Sequence, residues 1–292
     1  MHSNMKYYVI SMGGIFISLG IGMLVGFNLN YDQELSKQQS EIIADLDNRF
    51  DKLKATNDSL EDELKKLNLT YDKTIAFMNE NLDKLVLGEL EGHNIGIIST
   101  NPKKDENTLI DTINKANGNI AFNISFTNKE VDENISSLIL EKLNIEIKNN
   151  EELVLYVLDI LNNENAQSKL EELKKLELLS DITLASNYQD CNSVVLNGDG
   201  TNEEFDSKFK KLNEALIEKL KSGGSYIIGV DTTDSTIPYI DLYSEKQITT
   251  VNNINEKSGQ LALVLALKDR KATGNFGTGE NVDSLIPYTD NK

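Results

Sequence analysis

YYVISMGGIFISLGIGMLVGF, residues 7–27, is the stretch from which the rest of the chain is read. It carries no charge, and its length suffices to cross roughly 30 Å of hydrocarbon as a helix. Lys6 precedes it, Asp32 is the first charge after it, and no small-residue cleavage site of the A-x-A kind follows. The reading is an uncleaved signal anchor, not a removed signal peptide. No polar face exists to orient the segment as a buried core helix. Positive residues favour the inside, and the short side holds Lys6 and the N-terminal amine. The expected topology is single-pass in the inner (cell) membrane, with a cytoplasmic N-terminus and an extracytoplasmic C-terminal domain.

Within the span, Gly14, Ser18, Gly22 and Gly26 recur every fourth residue. They put four small side chains on one helix face, where a second helix can approach closely.

A seven-residue period starts at Ile43. Its a positions are Ile43, Phe50, Asn57, Leu64, Tyr71, Met78 and Leu85; its d positions are Leu46, Leu53, Leu60, Leu67, Thr74 and Asn81. Four successive leucines at d, with one Asn57 at a, suit a parallel homodimer, because a buried Asn pair costs stability but fixes register and strand number. The e and g charges add nothing to partner choice: Arg49 at g faces Lys54 at the following e′. The stripe stays a narrow a/d seam to about Tyr71, as a coiled coil requires. Beyond that Ile75, Phe77, Leu82, Val86 and Leu87 broaden it, and the helix is expected to leave its partner and pack on its own domain. Met78 is assigned to the seam. At 1.5 Å per residue, residues 32–87 would span roughly 80 Å.

Around 200 residues remain after anchor and stalk, enough for one substantial core. The formal net charge of −18 argues against binding nucleic acid through its phosphates. A single cysteine, Cys191, excludes an intrachain disulfide and reads as a buried structural thiol at a strand start. The abundance of Asn, Lys and Ile points to an AT-rich bacterial source.

Strand signals fall at Asn94–Ser99, Asn119–Phe126, Ile182–Ala185, Ser193–Asn197, Ser225–Val230 and Ile248–Val251. Helical stretches lie between them: Glu106–Ala116, Val131–Ile147, Glu151–Leu161, Ala166–Leu178, Thr201–Lys221, Ile237–Tyr243 and, last, Ser258–Lys268. Thr201 with Glu204 forms a capping-box signature. The alternation predicts an α/β fold: after the transmembrane helix and the long coiled-coil helix, a Rossmann-like, mainly parallel sheet of about five strands with helices on both faces. The expected segments are 1–6 cytoplasmic, 7–29 anchor, 30–87 stalk, 88–270 domain and 271–292 a glycine-containing tail without periodicity.

Candidate chemistry is sparse. Gly198-x-Gly200 sits where dinucleotide folds bind phosphate, but position 203 is Glu where a third glycine is needed, and Asp199, Glu203 and Glu204 would repel an anion. It reads as a tight turn before a capped helix. Asp231 and Asp234 are two carboxylates, too few for a hard-cation site, and read as a turn and cap cluster. The chain has two histidines, His2 and His93, and no G-x-S-x-G, H-E-x-x-H or P-loop pattern. The chain is read as non-enzymatic, with no catalytic, cofactor or metal residues assigned.

The anchor run Ile15–Gly26, the coiled coil and α/β order after it, the stretch Gly118–Asp132 and the C-terminal Phe276-Gly277-Thr278-Gly279 together resemble the MctB-like family of mycobacterial copper-transport outer-membrane proteins. The family tail motif maps to Gly277 and Gly279. The resemblance implies copper efflux or homeostasis in the envelope. It also implies kinship with proteins linked to envelope assembly, including control of a cell-wall (peptidoglycan) hydrolase through a coiled-coil partner. Copper favours thiolate, thioether or imidazole. Outside the anchor the exported part offers Cys191, Met78 and His93, with no cluster among them. Copper thus enters only through the resemblance. Two expectations stand: a copper-homeostasis protein, or a dimeric scaffold or regulator of envelope machinery.

Overall fold

The computed structural model describes residues 3–100, 106–163, 165–200, 209–235, 237–279 and 281–287. The chain divides into two units, Met1–Asp72 and Lys73–Lys292.

The first unit is helical. Helix α1 spans Ser3–Val86, and the chain's first proline is Pro102, so nothing interrupts its backbone ladder. Within this unit every described side chain from Met5 to Asn28 and from Leu35 to Asp72 is exposed. The apolar segment Met5–Asn28 has a mean hydropathy of 2.1, compatible with a membrane anchor.

The second unit holds strands β1 (Asn94–Ser99), β2 (Asn119–Phe126), β3 (Leu179–Leu184), β4 (Ser193–Asn197), β5 (Asp199–Gly200), β6 (Tyr226–Val230), β7 (Ile237–Pro238), β8 (Thr249–Val251) and β9 (Asn275–Phe276). Its helices are α2 (Asn107–Lys115), α3 (Glu133–Leu143), α4 (Asn150–Leu161), α5 (Ala166–Lys175), α6 (Ala215–Ser222), α7 (Ile240–Glu245) and α8 (Lys257–Asp269). Seven strands form one sheet in the order β3-β2-β1-β4-β6-β8-β9. All neighbours run parallel except the edge strand β3. The sheet thus has seven strands where about five were expected: β9 carries no strand signal, and the signal at Ile182–Ala185 belongs to the antiparallel edge strand, which starts at Leu179.

Central strands are apolar on both sides because helices cover both faces. Ile98 pairs with Ile124 and Leu196 and points into one core, closed by α3 to α7. Ile97 and Val195, one residue earlier, point into the second core, closed by α2, α8 and the end of α1. Met78, Leu82 and Val86 are buried there with Ile75 against them. This corrects the assignment of Met78 to the coiled-coil seam: its thioether is core packing of the α/β domain. Phe77 and Leu87, expected to pack on the domain, are 58% and 67% exposed.

Two further expectations change. Ile237–Pro238 is a strand, not the start of a helix, and pairs antiparallel with Asp199–Gly200 in a small separate ribbon. The Gly198–Gly200 turn therefore leads into that ribbon. Thr201, Glu203 and Glu204 lie outside the described residues.

The C-terminal segment is built into the sheet edge. β9 adds beside β8 through Thr250 opposite Asn275 and Val251 opposite Phe276. The Asn252 side chain then acts as a substitute strand: its Nδ2 donates to Thr278 O at 2.6 Å and its Oδ1 accepts from Thr278 N at 2.9 Å. Gly277 between them has φ +130°, and a Cβ there would lie 1.9 Å from Asn252 Oδ1. Only glycine satisfies both demands.

Candidate functional site

Three places were singled out by sequence: the face of α1, the C-terminal edge of the sheet, and the soft donors. On α1, a Cβ at Gly14, Gly22 or Gly26 would meet nothing within 4 Å. Ser18 Oγ donates to Ile15 O at 2.9 Å, which satisfies it within its own helix. Leu46, Leu53, Leu60, Leu64 and Leu67 are between 51% and 64% exposed, and Asn57 is exposed in the same row. Fixed spacing on one helix brings these residues to a common stripe, and no described residue of the first unit covers it.

At the sheet edge, the strand order reverses between β1 and β4, where open α/β folds place ligands. The residues there are polar and buried. Ser99 pairs in register with Ser125 and Asn197 across three strands, on the α2 side. Glu106, just before α2, accepts from Asn123 Nδ2 at 2.7 Å and from the Ser125 hydroxyl. Asn197 Nδ2 donates to Ser99 Oγ at 3.3 Å. On the opposite face, Asn213 Nδ2 donates to Thr100 Oγ1 at 3.3 Å, and Tyr243 Oη donates to Asn213 Oδ1 at 3.0 Å. A Cβ on Gly198 would lie 2.4 Å from Thr100 Oγ1, so this glycine admits the hydroxyl and needs no phosphate to explain it.

Asp231 is fully buried after β6. Its carboxylate accepts from Thr232 N at 2.7 Å and Tyr239 N at 3.1 Å. It thus organises the loop into α7, as a turn residue would; Asp234 lies three residues on, exposed. Glu106, Asn123, Ser125 and Asn213 carried no sequence signal, since their bonds join residues 17 to 113 positions apart.

The soft donors do not meet. Met78 lies in one core and Cys191 against the other. His93 Nδ1 lies 3.3 Å from Glu91 O, a contact whose donor depends on the tautomer. Burial pushes the Cys191 thiol up to about 11, so it is protonated near neutral pH and a poor metal ligand. Among the described residues no group of three or more His, Cys, Asp and Glu could hold a metal. As a copper site this donor set does not fit.

A family described as "Copper transport outer membrane protein, MctB" matches residues 3–287. This chain belongs to the MctB family. No curated protein matches it. Membership points to copper transport or homeostasis. The match reaches through α1, the sheet and the tail of this MctB-family chain. Of the two tail-motif glycines, Gly277 closes the β9 edge, while Gly279 is exposed at φ +106°.

Proposed function

We propose that this MctB-family protein is a single-pass membrane protein, N-terminus inside, that forms a parallel homodimer. We further propose that it serves copper homeostasis as a non-enzymatic scaffold, without itself coordinating the metal. The observation that supports the dimer is the bare leucine row Leu46–Leu67 with one Asn57 at an a position. An exposed row of that length is unfavourable in water unless another helix covers it. The scaffold reading rests on the separation of Met78, His93 and Cys191.

Two experiments test this reading. In a Cys191→Ser background, Leu46→Cys and Leu67→Cys placed one at a time should each give a disulfide-linked dimer on mild oxidation. A parallel in-register pair allows both; an antiparallel pair cannot crosslink like with like at both ends. Failure at both positions sinks the dimer. For copper, the detergent-purified full chain should take up no stoichiometric Cu(I) under reducing conditions, while a deletion strain becomes copper-sensitive. Tight Cu(I) uptake overturns the scaffold reading. A wall or division defect without copper sensitivity favours the second reading, a regulator of envelope machinery such as a peptidoglycan hydrolase, for which the exposed seam is equally suited.

A further inference from the structure

A cavity of about 330 Å³ opens on the α4–α6 side of the sheet, near the N-terminal end of β4 and away from the polar row described above. Its apolar wall is Phe122 and Val194 from the sheet, Leu158 and Leu161 from α4, and Leu220 from α6. Phe122 reaches across β1 because Gly96 has no side chain; a Cβ there would sit 2.2 Å from the ring. The polar side of the cavity includes Gln189, Ser225 and the Cys191 thiol. The side chains of Gln189 and Ser225 make no hydrogen bond to the described protein.

We propose that this cavity binds a small uncharged amphipathic molecule: an apolar body of roughly benzene-ring size with one hydrogen-bonding end. The volume lies at the low end of ligand sites, which run roughly 300–1,000 Å³. Its apolar wall takes the body, and Gln189 and Ser225 take the polar end. Charge is disfavoured in both senses. An anion would face the C-terminal ends of α4 and α6, which carry negative partial charge, and the Lys219 of the lining is already paired with Asp159. A cation would face Lys219, which pairs with Asp159 at 2.8 Å and leaves that carboxylate already answered. The helix-end carbonyls are capped as well: Asn162 Nδ2 donates to Leu158 O at 3.2 Å and Ser225 N to Leu220 O at 3.1 Å. A charged guest would therefore lose hydration without gaining a partner. This inference is independent of the dimer and of copper.

Cys191 is the chain's single cysteine and lines the cavity; with its thiol pushed up to about 11 only a small thiolate fraction reacts, so its slow alkylation by excess iodoacetamide at about pH 8 reports occupancy in the full-length protein in detergent. Benzyl alcohol, benzoate and benzylammonium share one body in three charge states. Benzyl alcohol should slow alkylation with saturation. The two ions should bind at least about fivefold more weakly, in keeping with the cost of burying an unpaired charge. Gln189→Ala, at an exposed position, should weaken benzyl alcohol and leave toluene unchanged; Ser225→Trp should plug the mouth and remove the effect of both. Equal slowing by all three probes, no slowing by any, or slowing by benzyl alcohol that persists undiminished in Ser225→Trp overturns the proposal. Should Ser225→Trp fail to fold, Gln189→Ala decides alone: equal loss for benzyl alcohol and toluene, or loss for neither, overturns it.

Discussion

Leu60 and Leu82 lie on the same helix, yet one is 51% exposed and the other 2%. The first belongs to a stripe that steps by three and four and drifts as a heptad does. The second belongs to the run 78, 82, 86, which steps by four and faces a sheet. A narrow seam suits a single partner helix, whereas a stripe facing a sheet needs only the width of its own groove. Apolar surface thus has two fates in this chain: Lys73–Lys292 buries most of its own, and Met1–Asp72 leaves its own for something else. A substitution in one class should leave the other untouched.

The largest effect expected comes from breaking the exposed class. Leu53→Lys with Leu60→Lys should abolish dimerisation of the full chain, read by light scattering in detergent. Near-ultraviolet circular dichroism of the α/β unit should stay unchanged. A dimer surviving both lysines would end the coiled-coil reading. Leu82→Ala should act in the opposite way. It removes buried methyl groups and should lower the stability of the α/β unit by about 2–5 kcal/mol, while the Leu46→Cys crosslink still forms. Loss of the crosslink alone would put Leu82 in the wrong class.

A third change, Gly277→Ala, tests whether the tail belongs to the buried class. The added Cβ meets Asn252 Oδ1 at 1.9 Å and the backbone sits at φ +130°. Overpacking and strain of this kind cost about 1–3 kcal/mol each. Denaturant unfolding should show that loss, and hydrogen exchange at Thr278 and Asn252 should rise with it. Gly279→Ala, where the nearest atom is 4.0 Å away, should cost less. Equal effects at the two glycines would argue that the Asn252 clamp is not what holds the tail.

The core strands were legible because NIGIIS, SVVLN and SYIIGV are short continuous apolar runs, the pattern of a strand covered on both faces. Helix α8 was legible from its length and its apolar run. The fate of Met78 was not. The heptad frame continues formally to Leu85, and nothing local signals where burial passes from one stripe to another. β9 is two residues long and its pairing depends on Asn252, twenty-six positions away from Thr278. The ribbon at Pro238 defeated propensity, since proline in a first helical turn and at a strand edge look alike from sequence. Of the candidate residues, those on α1 followed from spacing alone. The Glu106 and Asn213 networks did not, because each joins strands and helices that only the fold brings together.

The smallest effect expected is a pH dependence confined to the buried class. Tyr226 donates from Oη to Ala272 O at 2.7 Å, and Thr249 Oγ1 donates to the same carbonyl at 2.6 Å, pinning the chain where it turns towards β9. Burial pushes the Tyr226 phenol up to about 12, beyond what the bond with Thr249 takes back, and Asp269 pushes it the same way. The unfolded phenol ionises near its ordinary value of about 10, so between roughly pH 10 and 12 the unfolded chain gives up a proton that the folded chain keeps. Stability from this group is whole below about pH 10 and is lost as pH rises through that window. Tyr226→Phe should flatten the alkaline loss and cost about 1 kcal/mol at neutral pH for the missing hydrogen bond. The crosslink at Leu46→Cys, by contrast, should persist in the variant, since nothing that Tyr226 holds lies among the exposed leucines of α1.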